Sequence, residues 1–300
     1  MRASYSDWIG RTEETEELMA LAPVQAAAAT LDDTTTEFVP GSPLPPLWQW
    51  FFFLPRVPQS RLGLDGHPQR GGFMPPIELP RRMFAGARMR FLKPLLIGRP
   101  ARRQSVIRDV SEKEGRAGKL AFVTVAHRIR QDGEVCIEEE QDIVYREPGA
   151  PVGAPEPCEL APAPAGSWTR MITPDPTLLF RFSALTFNAH RIHYDRTYAT
   201  TVEGYPGLVV HGPLTAVLLM ELVRFHAHRS VTAFAFRGQA PLFDLAPFRL
   251  IGTPAGEHVH LEAQGPDGKT TMTASADLAT TVLLTSKVLF FEKDCETGQD

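Results

Sequence analysis

The chain has 300 residues, 43% of them hydrophobic and 22% charged, with a formal net charge of −4. That length fits one large domain or two ordinary ones, and it buries enough apolar surface to need no disulfide or metal staple. The acidic balance excludes nucleic acid as the main partner, because phosphate binding needs a basic face.

At the amino end, TEETEELMALA is acidic where a secretory leader would be basic, so no signal peptide is expected. Residues 13–31, rich in Glu, Leu and Ala, read as a helix. Residues 38–80 are crowded with Pro and Gly and carry the apolar run Leu47–Leu54 (LWQWFFFL), far short of the ~20 residues of a membrane span. So long an irregular segment is often a lid or binding loop, so Trp48 and Phe51–Phe53 either cover a channel or close the core. From Phe84 to Tyr145 the pattern becomes β: KLAFVTVAHRIR, a QDG turn at 131–133, then EVCIEEEQDIVYR as its partner. Residues 147–166 are Pro- and Ala-rich without periodicity and read as a linker.

Beyond the linker the same grammar returns. PLLIG at 94–98 has a counterpart in PFRLIG at 247–252, and QDG has one in GPDG at 265–268, flanked by HVHLEA and TMTASADLA. We read a degenerate internal duplication, with extra residues between the two marks in the first half. HGPLTAVLLMELVRFHAHR starts a helix at Gly212 and Pro213 and is apolar nearly all round, hence buried. Arg224 and Arg229 suit its negative end. The expected class is α+β, with residues 1–146 and 167–300 as two domains, each an antiparallel sheet wrapped round a helix. The first is degenerate, lacking a matching buried helix and polar strip. The cysteines Cys136, Cys158 and Cys295 show no CxxC spacing, which fits a reducing cytoplasm and argues against a disulfide framework or zinc site.

Between 187 and 195 the sequence FNAHRIHYD places Asn188, His190, Arg191, His193, Tyr194 and Asp195 beside core-forming segments. Polar groups that dense need partners or a function. FSALTFNAHRIHYD resembles the signature of the MaoC-like R-specific enoyl-CoA hydratases. With EGYPGLVVHGPL at 203–214, and GARMRFLKPLLIG and SEKEGRAGKLAFVTV in the first half, it is closer still to a subgroup. That subgroup holds mesaconyl-C4-CoA hydratase and the type-two hydroxyacyl-thioester dehydratases. The general signature runs aspartate, any residue, asparagine, usually proline, aliphatic, histidine. Here those positions hold Asn188, Ala189, His190, Arg191, Ile192 and His193, so the acid, the asparagine and the proline are all replaced.

The resemblance implies a double hot-dog fold and a lyase that reversibly hydrates an enoyl-CoA thioester, such as mesaconyl-CoA to citramalyl-CoA. Itaconyl-CoA hydration and (3R)-hydroxyacyl-thioester dehydration in fatty acid synthesis are the alternatives within that chemistry. A hot-dog thioesterase, with Glu221 as its carboxylate, and a non-catalytic acyl-CoA-binding protein lie outside it. Coenzyme A enters only as part of the substrate; no separate cofactor, nucleic acid or membrane is expected, and a homodimer is. His193 would move the protons, since histidine exchanges them near neutral pH. Neutral Asn188 would orient the water, and the N–H at Gly212 would meet the enolate oxygen at the helix start. His190, Tyr194 and Val210 would line the substrate site with Trp48 and Arg88. His211 would shape the site or merely start the helix. Arg191 would bind a second carboxylate, or else coenzyme A phosphates or solvent; Arg181, Arg88 and Arg90 are rivals for the carboxylate. Arg99, Arg102 and Arg103 would meet phosphates or solvate a strand end. A metal at His190, His193 and Asp195 lacks the usual ligand spacing, so none is expected.

Overall fold

The alternating segments pair into one ten-stranded antiparallel sheet in a computed structural model that describes residues 5–115 and 118–280. Cys295 and the end of the expected second domain lie outside the described residues. In the first half come β1 (Thr12–Leu18), helix α1 (Leu21–Leu31), β2 (Arg81–Phe91), β3 (Pro100–Gly115), β4 (Gly118–Gln131) and β5 (Glu134–Arg146). The second half holds β6 (Trp168–Ile172), α2 (Pro176–Leu185), α3 (Arg196–Thr201), α4 (Gly212–Ala227), β7 (Val231–Gly238), β8 (Phe248–Ala255), β9 (His258–Gln264) and β10 (Thr270–Leu278).

The sheet order is β1-β3-β4-β5-β2-β7-β10-β9-β8-β6. Each half thus repeats the other in mirror order, with its first strand at the outer edge and its second at the joint. The halves meet where β2 pairs antiparallel with β7, from Gly86 opposite Arg237 to Arg90 opposite Ala233. Both expected hairpin turns are present and equivalent. Asp132 and Gly133 take φ of 52° and 83° between β4 and β5, the left-handed pair that a tight hairpin requires. The turn at 265–268 joins β9 to β10 likewise. The other proposed match is corrected. PFRLIG enters strand β8, whereas PLLIG precedes β3; the equivalent bend is PLFDL, where Phe243 bridges to Val209 as Leu96 bridges to Pro43. The extra length of the first half lies in β3 and β4, of 16 and 14 residues against 8 and 7 for β8 and β9.

The helix expected over 13–31 is in fact a strand followed by a shorter helix. Glutamate favours helices only weakly, and here cross-strand charge decides. Glu14 and Glu16 pair with Arg102 at 3.1 and 3.0 Å as β1 runs along the edge of β3. Residues 21–31 do form α1, which buries Val24, Ala27, Ala28 and Leu31. The first half therefore does carry a helix, 11 residues against 16 for α4.

Helix α4 buries every residue from Leu214 to Val223, and strands β6, β8, β9 and β10 pack around it. An irregular segment, 38–80, covers the first half. Its 3-10 turn Trp48–Phe51 sinks Trp48 and Phe51 into the same core, with the Phe51 ring 5.9 Å from that of Phe182. Among the described residues no helix is long and apolar enough to cross a membrane.

Candidate active site

The polar strip begins where α2 ends. Phe187 takes a left-handed φ of 48°, which turns the chain out of the helix. A 3-10 turn, Arg191–His193, carries it on to α3, whose N-cap is Asp195: its carboxylate accepts the Tyr198 N–H at 2.9 Å. This local folding sets His193 against the start of α4.

His193 is buried, with Nδ1 2.7 Å from the Val209 carbonyl oxygen. A carbonyl only accepts, so Nδ1 carries the proton and Nε2 keeps its lone pair. Burial lowers its pKa to about 4 although the backbone hydrogen bond opposes this, so the ring is neutral at pH 7. The His211 ring stacks on it with centroids 3.6 Å apart and planes at 19°. His211 in turn meets Ser183 Oγ through Nε2 at 2.8 Å, and burial drives its pKa well down. Two neutral rings therefore lie face to face, one presented to the cleft and one backing it.

Asn188 accepts the His190 N–H through Oδ1 at 3.0 Å. That bond fixes which end of the amide is which, and leaves Nδ2 as the group free to donate into the cleft. Gly212 is the first residue of α4, so its N–H has no partner one turn back and points from the positive end of the helix. Strand β2 passes beside it: a Cβ at Gly212 would lie 3.7 Å from the Phe84 carbonyl oxygen. Asn188, His190, His193, Tyr194, Val210 and Gly212 all line one cleft of about 1080 Å³, which Phe52 and Phe53 wall from the first half.

Two functional residues went unnoticed in the sequence. The tight bend at 62–68, closed by a bridge between Leu62 and Pro68, docks on the strip, sets His67 in the cleft wall and holds Asp65 against it. Gly66 (φ 90°) makes this possible, since a Cβ there would fall 1.7 Å from the Ala189 carbonyl oxygen. His67 Nδ1 lies 2.9 Å from the Asp65 carboxylate, and its ring centroid 4.1 Å from that of His190. Burial works to raise the Asp65 pKa, but hydrogen bonds from His67 outweigh it and bring it down to about 2. His190 falls to about 2 through burial and the neighbouring histidines. The first half therefore supplies polar groups to the site after all. The only sequence signal was a polar Asp-Gly-His inside a Gly-rich bend, which reads equally well as a surface turn.

Donor atoms of Asp65, His67 and His190 lie within 4.8 Å of one another and could meet one cation. As placed, Asp65 and His67 are bonded to each other. The other set considered, His190, His193 and Asp195, is not assembled, because the Asp195 carboxylate faces Arg191 at 3.0 and 2.7 Å.

Several expected substrate contacts are corrected. Arg191 points away from the cleft: it pairs with Asp195, donates to the Leu64 carbonyl at 3.1 Å and lies over the Tyr198 ring at 4.1 Å. Its backbone N–H also donates to the Asp65 carbonyl at 2.9 Å, so the residue fastens the bend at 62–68 to the strip. Trp48 is fully buried behind the cleft, its indole N–H donating to Glu221 at 2.8 Å. Arg88 faces the other side of the sheet, since β2 alternates there, and pairs with Glu140 and Asp142 at 3.0 and 2.6 Å. Arg90 shares that outer face and lies 3.6 Å from Glu138. Arg99 and Arg102 hold separate exposed carboxylates, Asp132 and Glu14 with Glu16, while Arg103 turns inward to the cleft. Glu221, bonded to Trp48 and Arg224, is buried behind α4 and does not face the cleft, which removes the carboxylate that a thioesterase would use.

The family model for hydroxyacyl-thioester dehydratase type 2 matches residues 47–244. The chain is 64% identical over 276 residues to the mesaconyl-C(4)-CoA hydratase of Chloroflexus aurantiacus, covering 92% of this chain and 98% of that protein. Among solved structures, a MaoC-like dehydratase superposes with a TM-score of 0.67 at 14% identity, over 92% of this chain and 99% of its own. A Mycobacterium tuberculosis protein described as having a double hotdog fold superposes with a TM-score of 0.53 at 14% identity, over 92% and 98%. These two share the fold.

Proposed function

Because the chain belongs to the hydroxyacyl-thioester dehydratase type 2 family, we propose that it is a hydro-lyase adding water reversibly across the double bond of an enoyl-CoA, with mesaconyl-C4-CoA as its substrate. The single observation that carries the mechanism is a neutral, buried His193, its Nδ1 tied to Val209 so that Nε2 keeps a lone pair, lining the same cleft as Gly212 at the start of α4.

Water bound between His193 Nε2 and the Asn188 amide loses a proton to the histidine as its oxygen attacks the β-carbon. The π electrons move onto the thioester carbonyl oxygen, where the Gly212 N–H and the helix dipole stabilise the enolate. The imidazolium then returns its proton to the α-carbon, so one water is added and the base is restored. Burial disfavours that imidazolium. Asp65, anionic and held by His67, places a negative charge beside His190 at the same end of the cleft. The reverse sequence dehydrates the hydroxyacyl thioester.

The test is hydration of mesaconyl-CoA followed by loss of the enoyl absorbance. His193→Ala should lower kcat by roughly a hundredfold to ten-thousandfold, the contribution of a positioned proton-transfer group. Retention of near wild-type kcat would remove His193 from the mechanism. Two copies pairing through their sheets as a homodimer, in a cytoplasmic setting without disulfides, complete the proposal.

A further inference from the structure

Mesaconyl-C4-CoA differs from ordinary enoyl thioesters in carrying a second, free carboxylate, and Arg191 is turned away from the cleft. The remaining cleft-lining arginines divide by their partners. Arg81 pairs with Glu203 at 3.2 Å, and Arg103 lies between Glu13, 3.9 Å away, and the buried Glu139. A carboxylate arriving at Arg103 would meet that buried glutamate. Arg146, whose Nε is likewise buried without a hydrogen-bond partner, stands opposite Arg81 on the neighbouring strand against Gly149, one register position farther from Phe84 than Arg82. Arg82 is half-buried and lines the cleft, and its side chain forms no hydrogen bond or ion pair with any other described residue.

The position of Arg82 follows from the strand. Arg82 and Phe84 are two residues apart on β2 and share a face, and the Phe84 carbonyl lies beside Gly212. At roughly 3.3 Å per residue, Arg82 begins about 7 Å along the strand from the place where the thioester carbonyl would sit. A guanidinium reaching back over part of that span meets the far end of a four-carbon acyl group. The phosphates of coenzyme A are held away from this point by the length of the pantetheine arm. Its charge is felt at His67 and His190, which places it at the histidine end of the cleft.

We infer that Arg82 binds the free carboxylate of the substrate and so selects dicarboxylic over simple enoyl thioesters. This specificity role rests on the hydratase reading above. A guanidinium matches a carboxylate with two parallel N–H donors and carries a charge that the cleft otherwise leaves without a partner at that end.

The experiment compares kcat/KM on mesaconyl-C4-CoA and on crotonyl-CoA, which has the same coenzyme A and lacks the second carboxylate, in wild type and Arg82→Gln. The ratio of the two values within one preparation does not depend on how much of the variant folds. The wild type is expected to prefer mesaconyl-C4-CoA, and R82Q to lower that preference by roughly ten- to a hundredfold, the scale of a hydrogen bond to a charged group. An unchanged ratio overturns the inference, whether both activities persist or both fall together; an equal fall would put Arg82 on the phosphates. Absence of activity on both substrates in the wild type would instead overturn the hydratase reading itself.

Discussion

At the scale of single residues, the site depends on keeping a histidine neutral. His193 in the folded protein titrates near 4, whereas in an unfolded chain it titrates near 6.5. The acid limb of kcat/KM for hydration should therefore fall below about pH 5, well under the ordinary histidine value; an inflection near 6.5 in the pH–rate profile would contradict the buried base. The same shift has a stability counterpart. Between pH 6.5 and 4 the unfolded chain binds a proton that the folded one refuses, so stability is complete above that window and declines as pH falls through it. Asn188 offers a second probe. Its Oδ1 is held by the His190 N–H, so Asn188→Asp keeps that bond and removes the amide donor. A modest loss of roughly two- to tenfold in kcat is expected from one neutral hydrogen bond, and a steady-state assay would detect a larger drop if Asn188 were itself moving protons.

At the scale of elements, the bend at 62–68 is the part most exposed to a small change. Gly66→Ala would drive a methyl group into the Ala189 carbonyl at a backbone angle that disfavours side chains. The bend sits on the surface of the strip, away from α4, so the fold should survive with a loss of roughly 1–3 kcal/mol. The rate should fall further than the stability, because His67 and Asp65 would no longer face His190. Comparing the melting temperature with kcat separates the two effects, and an unchanged kcat would show that the bend's docking does not matter. The elements also show what sequence can and cannot disclose. The hairpin β4–β5 and the helix α4 were legible because period and turn chemistry are local: QDG supplied the left-handed pair, and a run with eight apolar residues in the ten from Leu214 to Val223 admits only burial. Strand β1 was not, because its glutamates are committed to β3, nearly a hundred residues away in the chain. Arg191 misled for a similar reason. Its neighbourhood in sequence suggested a substrate anion, while its partners in space are Asp195 and the Leu64 carbonyl. His193 was legible through resemblance of the strip to a known signature, and Gly212 as the start of the apolar helix; Asp65 and His67 had no such pattern around them.

At the scale of the molecule, the two repeats are joined in two independent ways. Backbone pairing of β2 with β7 makes one sheet of two. Behind α4, Arg224 pairs with both Glu221 and Asp33 at 2.5 Å, and Trp48 donates to Glu221, so a buried charge network of the second half is completed by residues of the first. Removing either half would leave a sheet edge unpaired and a buried carboxylate short of its donor. Chemical denaturation should therefore show one transition, reported alike by the fluorescence of Trp48 and Trp168 and by the far-ultraviolet signal of the whole sheet; two separated midpoints would mean that the halves hold themselves up alone.

The fastening of the 62–68 bend by Arg191 also bears on how such a protein can be recombined. The stretch at 147–166 looks like a natural crossover point at which one parent's first half could be joined to another's second. Yet Gly66 fits only a backbone shaped like that at Ala189, and Asp65 is gripped by a residue from across the junction. Hybrids between distant parents would inherit a complete sheet and a mismatched seam through the site. The two halves are bound to diversify as a pair.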